Sequence, residues 1–122
     1  MVLAVVDDLL FGSKLRAAAG SAGRRLVFVR RHDEVLGAMR EHAPDLVVFD
    51  LDRDSLDPIG LIREIRAAAE WSHVPLVGFA SHVHGERLQQ AREAGCEAMA
   101  RSAFVAALPG LMRPTSEQSP PA

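Results

Sequence analysis

The chain has 122 residues with 14 basic and 16 acidic side chains, a formal net charge of -2. That is room for one domain with a sizeable core, and the charge is too balanced for the basic footprint of a nucleic-acid binder. One cysteine, Cys96, excludes an internal disulfide framework and reads as a small buried thiol, and the apolar opening stops at Asp7, too early for a signal peptide or a membrane span. A soluble cytoplasmic protein is expected, with no nucleic-acid or membrane partner and no room for a second output domain.

The apolar, β-branched run 2–6 predicts a first strand, ending at the carboxylate pair Asp7 and Asp8. Phe11, Leu15, Ala18 and Ala19 share one helical face, and Gly20 and Gly23 are expected to stop that helix. Leu26 to Val29, between arginines, predicts the second strand. Asp33 is placed to cap a helix that buries Val35, Leu36 and Met39 and ends before Ala43-Pro44.

The central stretch is Asp45-Leu46-Val47-Val48-Phe49-Asp50-Leu51-Asp52. Four consecutive apolar residues run into a carboxylate, as in a parallel strand covered on both faces. Residues 53–56 read as a polar loop, and Asp57-Pro58 supplies an N-cap acid with proline in the first helical position. Leu61, Ile62, Ile65, Ala68 and Ala69 form the stripe of the third helix, and residues 74–79 form the fourth strand. After the loop 81–85, Leu88, Ala91 and Ala94 pattern a helix closed by Gly95. Residues 96–100 predict the fifth strand. Ser102 is placed to cap a last helix carrying Phe104, Val105 and Leu108, which Pro109-Gly110 should shorten or kink. The tail 113–122, rich in Pro and Ser, is expected to be disordered.

Five strands alternating with five helices predict an α/β fold with a doubly wound parallel sheet, because each parallel crossover needs a dozen or more residues. Asp7, Asp8 and Asp50 would then leave neighbouring strands at one edge, where ligands bind in such sheets. Close carboxylates repel, and a hard divalent cation with oxygen ligands compensates them. Alternatively, one acid is exposed and another caps a helix.

Val5-Val6-Asp7-Asp8, Pro44 through Asp50, Val74-Pro75-Leu76-Val77 and Ala94-Gly95-Cys96, in that order, resemble the receiver domain of two-component response regulators over residues 1–112. The resemblance implies a flavodoxin-like (βα)5 fold with strand order 2-1-3-4-5. It implies that Asp50 accepts a phosphoryl group from a histidine kinase or small phosphodonor, with Mg²⁺ held by Asp7, Asp8, Asp50 and the backbone carbonyl of Asp52. Beyond self-phosphorylation and autodephosphorylation, no enzyme activity is implied; partners are a histidine kinase or another signalling protein.

The departures from the family pattern concern the response to phosphate. The family's hydroxyl position at the end of the fourth strand is Ala80, with Ser81 one residue later. The lysine and proline positions after the fifth strand are Ser102 and Ala103, and Met99 stands at the aromatic position. Lys14 lies on the first helix and cannot replace the lysine, while Arg101 reaches the site only if the fifth strand ends one residue early. The expectation is an atypical, pseudo-receiver-like signalling protein whose switching is weakened or rewired, with a phosphorylation-independent interaction module as the alternative.

His82 is a candidate for flanking Asp50, and His82, His84 and Glu86 are a weak zinc set because alternate loop residues rarely converge. An aspartate-dependent phosphatase would use the Asp50-Leu51-Asp52 pair, but it would also need a lysine beyond Lys14, and there is none.

Overall fold

The computed structural model describes residues 1–113. Five strands, β1 (Val2–Val5), β2 (Leu26–Val29), β3 (Leu46–Asp50), β4 (Leu76–Ala80) and β5 (Glu97–Ala100), pair in parallel in the order β2-β1-β3-β4-β5. The helices are α1 (Leu9–Ser21), α2 (Val35–His42), α3 (Pro58–Ala67), α4 (Gly85–Ala94) and α5 (Arg101–Leu111). This is the doubly wound α/β fold expected from the alternation of elements, in the flavodoxin-like strand order that the resemblance implied.

Side chains on successive strand residues point to opposite faces, so the two cores separate by parity. Leu3, Val5, Val47 and Phe49 pack with Met39, Leu61, Ile62, Ile65 and Leu88, under α2, α3 and α4. Val2, Ala4, Val48, Val77 and Phe79 pack with Phe11, Leu15, Phe104 and Leu108, under α1 and α5. β1, β3 and β4 are buried throughout, which accounts for the unbroken apolar runs. On the second face, Phe11, Phe79 and Phe104 form an aromatic cluster with centroids 4.1, 4.9 and 5.7 Å apart.

Several boundaries differ from the sequence expectation. α1 runs through Gly20, and the break comes at Gly23, whose positive φ of 68° closes the turn into β2. Asp33 does not cap α2. It sits in a 3-10 turn, His32–Glu34, and pairs with Arg31 at 3.1 Å. The loop after β3 folds into a second 3-10 turn, Asp54–Leu56, because Leu56 is drawn into the core at 1% exposure. Asp57 caps α3 by accepting the Gly60 N–H at 3.3 Å, and Gly95, with φ 111°, closes α4.

At the far edge, Ala80 pairs with Ala100, which extends β4 by one residue and ends β5 there. α5 starts at once, so Ser102 lies inside it and caps nothing; Ala100 is the N-cap. Pro109 neither shortens nor stops α5, because so close to the end it removes only one intrahelical hydrogen bond. The disorder expected for the tail lies outside the described residues apart from Arg113. Among the described residues no helix is long and apolar enough to cross a membrane.

Candidate functional site

Parallel pairing of β1 with β3 brings the acids that follow Val5 to the same sheet edge as Asp50, the last residue of β3. Asp50 is 4% exposed, and its Oδ1 accepts the backbone N–H of Asp52 at 3.0 Å. Burial pushes its pKa above the ordinary carboxylate value. The Asp52 N–H and the charge of Arg101 oppose that shift, while Asp52 and Asp8 add to it.

The neighbouring acids have partners of their own. Asp8 caps α1, its Oδ1 accepting the Phe11 N–H at 3.0 Å, and its Oδ2 lies 3.7 Å from Arg101 Nη1. Asp7 turns toward Arg53 and Arg30, with Oδ2 2.8 Å from Arg53 Nη2 and Oδ1 3.8 Å from Arg30 Nε.

Asp52 engages both of its carboxylate oxygens. Oδ1 lies 2.6 Å from His84 Nδ1, and Oδ2 accepts the Ser81 N–H at 2.8 Å and lies 3.5 Å from Arg101 Nη2. Burial raises the Asp52 pKa, but the His84 bond, the Ser81 N–H and the charges of His84 and Arg101 outweigh it and hold the group below its ordinary value.

Arg101 is the hub. Because β5 ends at Ala100, its guanidinium turns back over the sheet edge, 5.2 Å from the Phe11 ring centroid and 5.3 Å from that of Phe79. The aromatic faces support a cation that serves Asp8 and Asp52 together. Ser102, at the family's lysine position, is exposed.

Of the candidate residues, the fold brings together Asp8, Asp50, Asp52, Ser81 and Arg101, and turns Asp7 toward its arginines. His82 is exposed and makes no hydrogen bond to the acids, whereas His84 does. Sequence reasoning named His84 only in a weak zinc set and Asp52 only through its carbonyl or as a phosphatase pair with Asp50; it missed Arg53 and the pairing of His84 with the Asp52 carboxylate. The only signal was spacing: once α4 is known to start at Gly85, His84 is the residue at its threshold, facing the end of β3.

The donor set does not match a ready-made Mg²⁺ site. Two of the carboxylates are engaged by guanidinium groups or a helix cap, and among the described residues no three or more His, Cys, Asp or Glu side chains are grouped to hold a metal ion, zinc at His82, His84 and Glu86 included. Compensation of the acids comes from Arg53, Arg101 and His84. The Cys96 thiol is buried and pushed up to about 12, which makes it inert.

No family model matches the chain. It is 25% identical over 97 residues to the polar-differentiation response regulator DivK of Brucella anthropi, covering 80% of this chain and 79% of that protein. In structure it is similar to a response regulator from Hahella chejuensis, with a TM-score of 0.80 at 19% identity over 91% of this chain and 90% of the other. It is also similar to the receiver domain of the sensor histidine kinase PA1611 from Pseudomonas aeruginosa PAO1, described with a magnesium ion in the active-site cleft. That match has a TM-score of 0.74 at 20% identity and covers 91% of this chain and 95% of that one. With its acids delivered to the carboxyl edge of a 2-1-3-4-5 sheet and its sequence aligned with DivK along four-fifths of its length, the chain has the fold of response-regulator receiver domains and is similar in sequence to a response regulator.

Proposed function

We infer that residues 1–112 act as a receiver-type signalling module of the cytoplasm, taking its signal from a histidine kinase or another signalling protein by direct contact. Asp50 is its phosphoacceptor, and the response is rewired around Arg101. The observation that carries this reading is Arg101 bridging Asp8 and Asp52 beside the buried Asp50. Phosphoryl transfer depends on positioning and on charge neutralisation at the equatorial oxygens, and a guanidinium seated on two aromatic rings supplies both.

In the transfer, an Asp50 carboxylate oxygen forms a bond to phosphorus. The donor's P–N or P–O bond breaks, and the leaving imidazole or acetate keeps the electron pair. Asp7 and Asp8 would hold Mg²⁺ only in competition with Arg53 and Arg101, and the ion would supply charge neutralisation at the phosphoryl oxygens.

Incubation of the intact protein with acetyl phosphate, with and without Mg²⁺, followed by mass measurement, tests the assignment. One phosphoryl adduct is expected, absent in Asp50→Asn. Absence of any adduct in the native protein would remove the acceptor role. What would then stand is the second reading, a phosphorylation-independent interaction module, which the internal pairing of the acids favours.

A further inference from the structure

Three donors at the sheet edge where β3 delivers Asp50 are already taken by a side chain two residues along. The Ser81 N–H, His84 Nδ1 and Arg101 Nη2 lie 2.8, 2.6 and 3.5 Å from the Asp52 carboxylate, and the Asp52 N–H is bonded to Asp50. A carboxylate with both oxygens met by a backbone N–H, an imidazole and a guanidinium is coordinated as a bound anion is. The backbone beneath it is held as well, because the Leu51 N–H donates to the Phe79 carbonyl at 2.9 Å.

We propose that the Asp52 carboxylate is a built-in anion plug. It occupies the donors at the carboxyl ends of β4 and β5 that a phosphoryl group on Asp50 would have to use. It rests on the reading of Asp50 as acceptor only for the identity of the displaced group. Two consequences follow. In its unmodified form the protein already presents its β4 and β5 edge with the donors engaged, so partners meet an anion-filled arrangement without phosphorylation. A phosphoryl group enters only when Asp52 swings out.

The tether gives Asp52 its advantage, since a carboxylate on a short linker competes at an effective concentration of about millimolar or more. An alternative role, stapling the loop before α4, needs only an acceptor for the Ser81 N–H. Asp52→Asn keeps that acceptor and removes the charge, whereas Asp52→Ala removes both.

The test uses the full chain, isotope-labelled, with inorganic phosphate as the probe and the Ser81 amide and Arg101 Nε–H signals as readouts. A parallel arm measures Asp50 adduct formation from acetyl phosphate by intact mass. In the native protein both signals are expected to stay fixed through roughly 10 mM phosphate, the scale set by the tether. In Asp52→Ala they shift saturably, and the adduct forms about tenfold faster or more, as expected for release of a charge-assisted bond. Asp52→Asn gives a smaller shift in the same direction, and it carries the test alone if Asp52→Ala does not fold. Signals that respond to phosphate identically in all three proteins would overturn the plug. A phosphate response in the variants with no Asp50 adduct in any protein would leave the plug standing and remove the acceptor reading.

Discussion

The carboxyl ends of β1 and β3 and those of β4 and β5 form two halves of one edge, built by different means. The first half is acidic and legible: Asp7, Asp8 and Asp50 follow apolar runs, and each reaches the edge because its strand is central and buried. The second half carries no hydroxyl or lysine at the family positions, only Ala80, Ala100 and an exposed Ser102. Its polar content is imported. Asp52 comes from the loop after β3, His84 from the loop before α4, and Arg101 from the first residue of α5. An acidic sheet edge can therefore keep its electrostatic balance without a hydroxyl at the end of β4 or a lysine after β5, provided neighbouring loops reach the same few ångströms.

Removing the support common to both halves should have the largest effect. Phe79 is fully buried, stacks on Phe11, lies tilted against Phe104, and forms part of the surface under Arg101. Phe79→Ala is expected to cost about 3–5 kcal/mol of stability in denaturant unfolding. It should also free the Arg101 guanidinium, visible as faster exchange of its Nε–H with solvent than in the native protein. If Arg101 kept its protection, the aromatic seat would not be what positions it.

A smaller effect separates the halves by sign. The pKa of Asp50 is raised in the fold, chiefly by burial, so its contribution to stability is fully present below the ordinary aspartate pKa and is lost as pH rises through the raised value. Asp50→Asn should therefore be more stable than the native protein at neutral pH, by on the order of 1 kcal/mol, with the gap closing in acid. The pKa of Asp52 is lowered, so its contribution is present above the ordinary value and is lost as pH falls through the lowered one. Asp52→Ala should be less stable than the native protein at neutral pH, with that gap also closing in acid. Melting curves across pH for the two variants would display the opposition, and gaps of the same sign would end the division into halves.

The smallest effect belongs to Arg53. It is 49% exposed and pairs with a part-exposed Asp7. Arg53→Ala is expected to change stability by less than about 1 kcal/mol, and by less still at high salt. If the variant bound Mg²⁺ more tightly than the native protein in calorimetry, Arg53 would be acting as the competitor for Asp7.

Most of the fold could be read from the chain, because a buried parallel strand must be apolar at every position and a crossover must be long. The departures lay where a tertiary neighbour intervened. Leu56 turned a polar loop into a 3-10 turn by entering the core, and pairing of Ala80 with Ala100 carried β4 one residue past its expected end. At the site, Asp8 and Asp50 could be placed from strand ends alone. His84 and Arg53 could not, since their roles depend on how loops fold back rather than on any period.

Local pattern by itself determined the five strands, the acid termini of β1 and β3 and the helix start at Asp57-Pro58, because burial and capping act on residues near in sequence. Only the tertiary structure decided what faces those acids. One residue of register at the end of β5 decides whether Arg101 lies in the strand or opens α5, and opening α5 lets its guanidinium turn back between Asp8 and Asp52. Charges interact across space irrespective of chain distance, so a partner 49 residues beyond Asp52 becomes visible only when the sheet brings the two ends together.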